Sequence, residues 1–172
     1  MNRVLFALAA LVPMFIVSAT VLAKGQTVRI EIRGDSLGSA IEITDPSIVK
    51  SFNIWNGPGV RINNEPVHMD PNRQAGAFID WPKGEVSERP RGLQRCEVSF
   101  HIEGRSPPND RYVVVYEFDP HAEGGYIYLP GRGDERVRSN TFLIYHGVEG
   151  KWFCSSPEWE RLVRPLLVKN SR

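Results

Sequence analysis

The sequence has few cysteines, no excess of charge of either sign and no recognised metal-binding motif. It contains no HExxH or CxxC spacing and no Asp-rich calcium loop. One of its 21 basic residues is Arg3, and the remaining 20 equal the 20 acidic residues. A balanced charge gives no electrostatic reason to expect nucleic acid or an anionic membrane surface as a partner. We therefore predict no cofactor and no nucleic-acid partner.

No apolar run of membrane-spanning length follows the N-terminal region, but that region itself has the three parts of an export signal. A short basic start precedes an apolar run from Val4 to Val17 and a small-residue end from Ser18 to Ala23. The pattern predicts a signal peptide at residues 1–23 that is cleaved after Ala23. An uncleaved anchor is the alternative, because residues 4–23 are long enough to span a bilayer. We expect a periplasmic or secreted bacterial protein.

The rest of the chain lacks a β-α-β rhythm, an internal repeat and a low-complexity tract. Its length suits one ordinary domain, so residues 24–172 are predicted to form a single β-rich globular domain. Short strand-like runs and two short helical runs, at about 46–55 and 157–167, indicate an α+β fold. Because helices do not alternate with the strands, a mostly antiparallel sheet or sandwich is favoured.

The strand predictions depend on alternation between apolar and polar residues. Thr27–Arg33 and Cys96–Ile102 alternate in this way. Tyr112–Phe118 begins as a continuous apolar run, which is typical of a central strand covered on both faces. Val60–Gly76 is predicted to be a loop. The other predicted strands are Ala40–Ile43, Ala77–Trp81, Tyr126–Leu129, Ser139–Tyr145 and Lys151–Phe153.

Each predicted helix begins with a capping residue followed by proline. Asp45-Pro46 opens the first helix and Ser156-Pro157 opens the second, with Ser155 as the alternative cap. Apolar residues at helical spacing extend the first helix to Trp55. Pro165 lies late in the second helix and is expected to fray or end it.

The two cysteines, Cys96 and Cys154, are predicted to form a disulfide. Outside the cytosol an even number of cysteines favours a bridge. Cys96 begins one predicted strand and Cys154 ends another, so the two side chains are expected to face each other. Two separate buried thiols are the alternative. Both cysteines lie in apolar contexts, which favours packing over reactivity.

The loop after the predicted central strand carries Asp119, His121 and Glu123 at every second residue. These side chains are common metal ligands, and His101 or His146 from a neighbouring strand would complete a set. The alternative is a polar turn, because Asp-Pro and Gly-Gly are typical of turns. The candidate metal ligands are therefore Asp119, His121, Glu123 and His146, and no catalytic residue is predicted.

Other loop and aromatic residues have weaker functional interpretations. Arg-Gly-Asp occurs at residues 33–35 and 132–134, where an adhesion loop is weighed against ordinary turn chemistry. Residues 132–138 crowd charges into one loop, which favours internal pairing in solvent over a binding loop. Trp81, Tyr126 and Tyr128 are the aromatic residues most expected to face a sugar or peptide ligand.

Several segments give the chain a resemblance to known sequences. They are GYIYLPGRGDE from Gly125, HGVEGKWF from His146, ITDP from Ile43 and SPEWERLVRPL from Ser156. With these segments the chain resembles a family of uncharacterised exported bacterial proteins without an assigned activity. The resemblance implies an exported bacterial domain and carries over no catalytic residue.

Two functions from different classes are compatible with these patterns. The favoured prediction is an exported non-enzymatic domain that binds an envelope protein or a small ligand. The alternative is a small metal-dependent or hydrolytic enzyme that uses Asp119, His121 and Glu123. A shared cleft containing His121 and His146 would favour the enzyme.

Overall fold

The computed structural model describes residues 25–55, 60–62, 65–68, 77–141, 143–144 and 147–171. The predicted signal peptide at residues 1–23 lies outside the described residues, and so does His146.

Eight strands and two helices make up the described chain. Six strands form one open antiparallel sheet in the order β2–β1–β5–β6–β7–β8, and β3 and β4 form a separate hairpin. The predicted β-rich α+β fold with an antiparallel sheet is therefore confirmed. The elements are β1 Thr27–Gly34, β2 Ile41–Ile43, α1 Pro46–Ser51, β3 Val60–Ile62, β4 Glu65–His68, β5 Gln94–Ile102, β6 Arg111–Phe118, β7 Gly125–Leu129, β8 Lys151–Cys154 and α2 Pro157–Asn170.

The strand β6 lies inside the sheet, as its apolar run predicts. Residues 112–116 are all buried, because both faces of this strand are covered. Eight residue pairs join β6 to β5, from His101 opposite Arg111 to Gln94 opposite Phe118. The strands at the two edges of the sheet, β2 and β8, have only three and four residues.

One face of the sheet, the inner face, packs against α2. The alternating apolar residues of β1, β5, β6 and β7 point to this side and join a single buried cluster. Trp159 of α2 is fully buried at its centre, with ring contacts to Phe52, Phe78, Phe100 and Tyr116. The inner face thus buries the large aromatic and aliphatic side chains that exclude water from the domain.

The opposite face, the outer face, has a smaller apolar cluster among polar and charged residues. Val113, Val115 and Tyr128 are buried there by Val137, which lies in the loop after β7. Trp152 packs against this cluster from β8. The alternating pattern that fills the inner face therefore leaves the outer face to be covered by loops.

The first helix ends earlier than predicted. The Asp45 carboxylate accepts two backbone N–H groups of the first turn of α1, which confirms the cap. The helix stops at Ser51 rather than at residue 55 because the Asn53 side-chain oxygen accepts the Trp55 backbone N–H at 3.0 Å. This local turn replaces a further helical turn.

The second helix continues past its proline to Asn170. The Ser156 hydroxyl oxygen accepts the Trp159 backbone N–H at 3.1 Å and caps the helix. Pro165 is exposed, whereas Val163 and Leu167 beside it are buried against the sheet. Packing of this buried stripe outweighs the backbone hydrogen bond that proline removes, so the predicted end near residue 167 is wrong.

The predicted strand at Ser139–Tyr145 is also wrong where the structure describes it. Residues 139–141 and 143–144 form turns and irregular chain. The Asn140 amide instead accepts the Val113 N–H at 2.9 Å and donates to the Val113 carbonyl at 2.8 Å. A single side chain therefore pairs the backbone N–H and carbonyl of Val113, which a neighbouring strand would otherwise have paired.

Two shorter segments also differ from their predictions. Residues 77–81 form no strand, and Ile79 makes only an isolated bridge to Ser155 before a 3-10 turn at Trp81–Lys83. The predicted loop at residues 60–76 contains the β3–β4 hairpin. Few apolar residues mark these strands, so periodicity does not reveal them.

Candidate functional site

A groove with a volume of about 950 Å³ runs along one side of α2. We call it the α2 groove. Its helical wall consists of the α2 residues Pro157, Glu160, Arg161, Arg164, Pro165, Leu167 and Val168, followed by the C-cap Ser171. Its other walls are formed by Ser36, Leu37, Lys83, Gln94, Phe118, Pro120, Ala122, Glu123, Gly124 and Ser155. The groove thus lies where the β1–β2 and β6–β7 connections approach the helix.

The lining is half apolar and half polar or charged, and the best-fixed polar groups lie around Glu160. Val168 is 73% exposed, an unusual position for a large aliphatic side chain. Phe118 and Leu37 contribute apolar walls beneath it. A concave apolar surface with a small number of placed polar groups is typical of a ligand site.

The floor of the groove contains a carboxylate with three side-chain partners. Glu160 Oε1 accepts the Tyr116 hydroxyl at 2.7 Å and also accepts the Ser155 hydroxyl. Glu160 Oε2 lies 2.6 Å from Arg164 Nε, and the two side chains are only 13% and 19% exposed. Hydrogen bonds to charged groups in such a partly buried setting are stronger than those at the open surface.

Tyr116 stays protonated in this network. Burial raises the pKa of Tyr116, and the nearby Glu160 carboxylate raises that pKa further. The phenol therefore acts as a hydrogen-bond donor to Glu160 throughout the physiological range.

Arg164 holds the β6–β7 loop against α2 through backbone carbonyl groups. Its Nη1 donates to the Asp119 carbonyl at 2.7 Å, and its Nη2 donates to the carbonyls of Ala122 and Gly124. Its guanidinium carbon also lies 4.6 Å from the centre of the Phe118 ring. The planar fork of arginine matches this arrangement of acceptors, so Arg164 fixes one wall of the α2 groove.

Three of the candidate metal ligands, Asp119, His121 and Glu123, lie in this same loop but are not grouped around one point. The Asp119 carboxylate accepts the His121 backbone N–H at 2.8 Å, which closes a local turn. The side chains of His121 and Glu123 are exposed. Among the described residues, no three His, Cys, Asp or Glu side chains are grouped to hold a metal ion. Because His146 lies outside the described residues, the full predicted set stays a prediction.

His101, the other histidine considered for a metal set, lies at the opposite end of the sheet. It pairs with Arg111 at the start of β6, whereas Asp119 follows the end of that strand. His101 Nε2 is 3.6 Å from Glu31, a carboxylate that Arg33 also binds. Burial and the charge of Arg29 lower the pKa of His101, so the ring is neutral at neutral pH.

Ser36 lies within a short motif that also occurs in hydrolases. Residues 34–38 read G-x-S-x-G, the spacing of a hydrolase nucleophile elbow. That elbow requires a strand followed by a helix, but Ser36 lies between the antiparallel strands β1 and β2. Its hydroxyl contacts the Gln94 side-chain oxygen at 3.3 Å. The fold therefore does not give this serine the setting of a nucleophile elbow.

The predicted disulfide is wrong, because both cysteines are free thiols. The two strands that carry them are separated by β6 and β7, so three strand spacings, about 14 Å, lie between β5 and β8. The register also places Cys96 on the inner face and Cys154 on the outer face. A disulfide needs α-carbons within about 7 Å, which this arrangement excludes.

Tyr126 and Tyr128 lie on the outer face, whereas Trp81 packs against the inner-face cluster, with its ring centre 5.1 Å from that of Phe153. Tyr128 is buried, while Trp81 and Tyr126 are half-buried. The Asp134 carboxylate of the second Arg-Gly-Asp tripeptide accepts the Tyr128 hydroxyl at 2.7 Å. In the first tripeptide Arg33 binds Glu31 and Gly34 pairs with Cys96 inside the sheet. These contacts show that side chains of both Arg-Gly-Asp tripeptides pair within the chain, which argues against their presentation to a receptor.

Of the residues that line the α2 groove, Glu123 is a predicted metal ligand, whereas sequence patterns did not single out the Glu160 network as a site. Glu160 and Arg164 have the spacing of an ordinary helical ion pair. Their partners Tyr116 and Ser155 belong to other parts of the chain, so only the packing of α2 on β6 brings the four together.

Comparisons with protein-family models, with curated proteins and with solved structures give no match to this chain. In the part of the chain that the structure describes, no helix has the length and apolar character needed to cross a bilayer.

Proposed function

We propose that this chain is an exported, non-enzymatic binding domain that holds its ligand in the α2 groove. The observation that carries the proposal is the fixed floor beneath an open, partly apolar channel. Glu160 and Arg164 are fully engaged with each other and with neighbouring groups, so they shape the groove rather than perform chemistry. Exposed Val168 supplies apolar contact surface for a ligand.

The contacts of Ser155 support binding over nucleophilic catalysis. Its hydroxyl donates to the Glu160 carboxylate and accepts the Gly125 N–H at 2.9 Å. A serine nucleophile needs a base that is itself free to take up the proton. Glu160 already accepts hydrogen bonds from Arg164 and Tyr116, so it is not free to act as that base. The network of Glu160, Ser155, Tyr116 and Arg164 therefore holds the floor of the groove in place.

A steric block tests the proposal. Ala122 is exposed at the groove, so Ala122→Trp fills the channel without disturbing buried residues, and Ala40→Trp is the matched control outside the lining. The labelled chain is titrated with N-acetylated tripeptides and a library of small aromatic acids and amines, and amide shifts are recorded. We expect saturable shifts in residues 118–124 and 155–171 that Ala122→Trp removes and Ala40→Trp keeps. Saturable binding that is unchanged in Ala122→Trp would contradict the proposal that the ligand binds in the α2 groove.

The hydrolytic or metal-dependent alternative has its own assay. Hydrolysis of p-nitrophenyl acetate is measured with and without zinc or manganese, in the native chain and in Ser36→Ala and His121→Ala. We expect no rate above the uncatalysed background. A rate that either substitution abolishes would replace the binding proposal with an enzyme.

Export is the remaining part of the proposal. The export-signal pattern of residues 1–23 and the resemblance to exported bacterial proteins support it. Expression of the full chain in a bacterial host should give a periplasmic protein that begins at Lys24, as read by N-terminal sequencing. A membrane-bound product that keeps Met1 would support the uncleaved anchor.

A further inference from the structure

A second arrangement with recognition chemistry lies on the outer face, away from the α2 groove. Trp152 of β8 and Tyr128 of β7 are paired across the strands, with ring centres 5.0 Å apart. Glu117 of β6 lies beside them, and its side chain is 18% exposed. An aromatic face next to a carboxylate is a natural site for an organic cation.

This site already contains a cation from the same chain. The guanidinium carbon of Arg89 lies 3.4 Å from the centre of the Trp152 ring, and its Nη1 binds Glu117 Oε2. Arg89 lies in residues 84–92, a segment without a regular strand or helix that we call the strap. Backbone contacts hold the start of the strap: the Gly84 N–H donates to the Trp81 carbonyl at 3.0 Å, Glu85 bridges to Phe153, and the Val86 N–H donates to the Trp152 carbonyl at 2.8 Å.

The ends of the strap are suited to movement. Gly84 and Gly92 both have positive φ values, 72° and 75°, which few other residues adopt without strain. No atom lies within 4 Å of the position of an added Cβ at either glycine. Residues 87, 88, 90 and 91, on either side of Arg89, are exposed, so movement of this part of the strap uncovers little buried surface besides the contacts of Arg89 itself.

A related contact lies next to it. The guanidinium carbon of Arg136 lies 4.8 Å from the Tyr128 ring centre, and its Nη1 donates to the Tyr128 hydroxyl at 3.2 Å, while that hydroxyl donates to Asp134 at 2.7 Å. A second arginine thus stacks on an aromatic ring of the outer face, here without a carboxylate bound to the guanidinium. A planar guanidinium can stack on a ring and bind a carboxylate together, which the compact ammonium of lysine does less well.

We propose that Trp152 and Glu117 form a binding site for the arginine side chain of a partner peptide, which Arg89 occupies in cis until the strap lifts. Arg89 stands in for the partner's arginine, so its contacts report the geometry of the bound state. The rings of this site lie on the outer face and outside the α2 groove, although Lys83 and Gln94, which flank the strap, line that groove.

Replacing the competing arginine tests this proposal. The probe is N-acetyl-arginine amide, and the readout is the shift of the Trp152 indole N–H resonance. Arg89→Ala should bind the probe about tenfold more tightly than the native chain, because removal of an intramolecular competitor raises the fraction of open sites. Arg91→Ala, on the same exposed strap, is the matched control and should bind as the native chain does.

Two further variants separate recognition from a structural role. In the Arg89→Ala background, Glu117→Gln should abolish the saturable shift, and N-acetyl-citrulline amide should not bind. Trp152→Leu removes the indole resonance, so its binding of the probe is followed by titration calorimetry and should be lost. If Arg89→Ala lowers the folded fraction, Arg89→Met keeps the apolar stem and repeats the measurement. Absence of a saturable shift in both Arg89 variants, or equal binding of the citrulline probe, would overturn the proposal.

Discussion

The two faces of the sheet are built from the same strands but are covered in different ways. On the inner face, apolar side chains surround Trp159 and a helix excludes water. On the outer face, arginines stack on Trp152 and Tyr128, and loops supply Val137 and Asn140. The first kind of burial stabilises the fold broadly. The second depends on individual polar contacts, which can be exchanged for those of a partner.

Removing one tryptophan from each face tests most directly whether the two faces contribute differently to stability. Trp159→Ala should reduce the free energy of unfolding by about 3–5 kcal/mol, because a fully buried indole leaves a cavity. Trp152→Ala should cost about 1–2 kcal/mol, since the ring is half-buried and mainly loses its stacked Arg89. Urea unfolding of both variants checks the order, and equal costs would contradict a core centred on Trp159.

Alkaline pH should weaken the inner face through its buried phenols. Burial raises the pKa of both Tyr112 and Tyr116, so the folded state keeps protons that the unfolded chain loses near pH 10. Stability that is present below about pH 10 is lost above it, by about 1.4 kcal/mol per pH unit for each tyrosine.

Urea unfolding between about pH 9 and about pH 11 measures that slope. Tyr112→Phe and Tyr116→Phe should each reduce it. Tyr126→Phe is the matched control, because this tyrosine is half-buried on the outer face, and it should leave the slope unchanged. A slope that neither inner-face variant alters would show that other groups govern alkaline unfolding.

Two of the arginines that stack on aromatic rings, Arg164 and Arg136, also allow a matched test. Arg164→Lys should cost about 1–3 kcal/mol, because lysine cannot serve Glu160 and the loop carbonyls together. Arg136→Lys on the outer face should cost less than about 1 kcal/mol, as expected for an exposed cation.

Hydrogen exchange locates the effect of these two changes. In Arg164→Lys the amides of residues 119–125 should exchange faster, since the wall of the α2 groove is released. In Arg136→Lys they should be unchanged. Unchanged exchange in Arg164→Lys would mean that the loop is held without the arginine fork.

The smallest effect is a difference in thiol reactivity. Burial raises the pKa of Cys96 to about 11, and its side chain is 1% exposed, whereas Cys154 is half-buried on the outer face. Iodoacetamide at neutral pH should label Cys154 in the native chain and Cys96 only after unfolding. Mass spectrometry follows the two peptides, and equal labelling rates or a Cys96–Cys154 bridge would contradict the assigned faces.

Sequence patterns predict the elements of the sheet better than they predict the candidate site. The alternation in β1 and β5 and the apolar run of β6 indicate strands, because side-chain periodicity is local. The Asn140 amide that replaces a strand has no such signal. The Glu160 network also escapes prediction, because its partners come from β6 and from the residue after β8.

Sequence patterns suffice for the strands β1, β5 and β6, for the helix cap at Asp45 and for the start of α2 at Ser156-Pro157. These features depend on neighbours within a few residues, where backbone geometry and burial leave a regular pattern. Only the tertiary structure decided that Cys96 and Cys154 lie on opposite faces, that Arg164 closes the wall of the α2 groove and that Arg89 covers Trp152. Strand order and register set those contacts, because a shift of one residue would move every side chain of a strand to the other face.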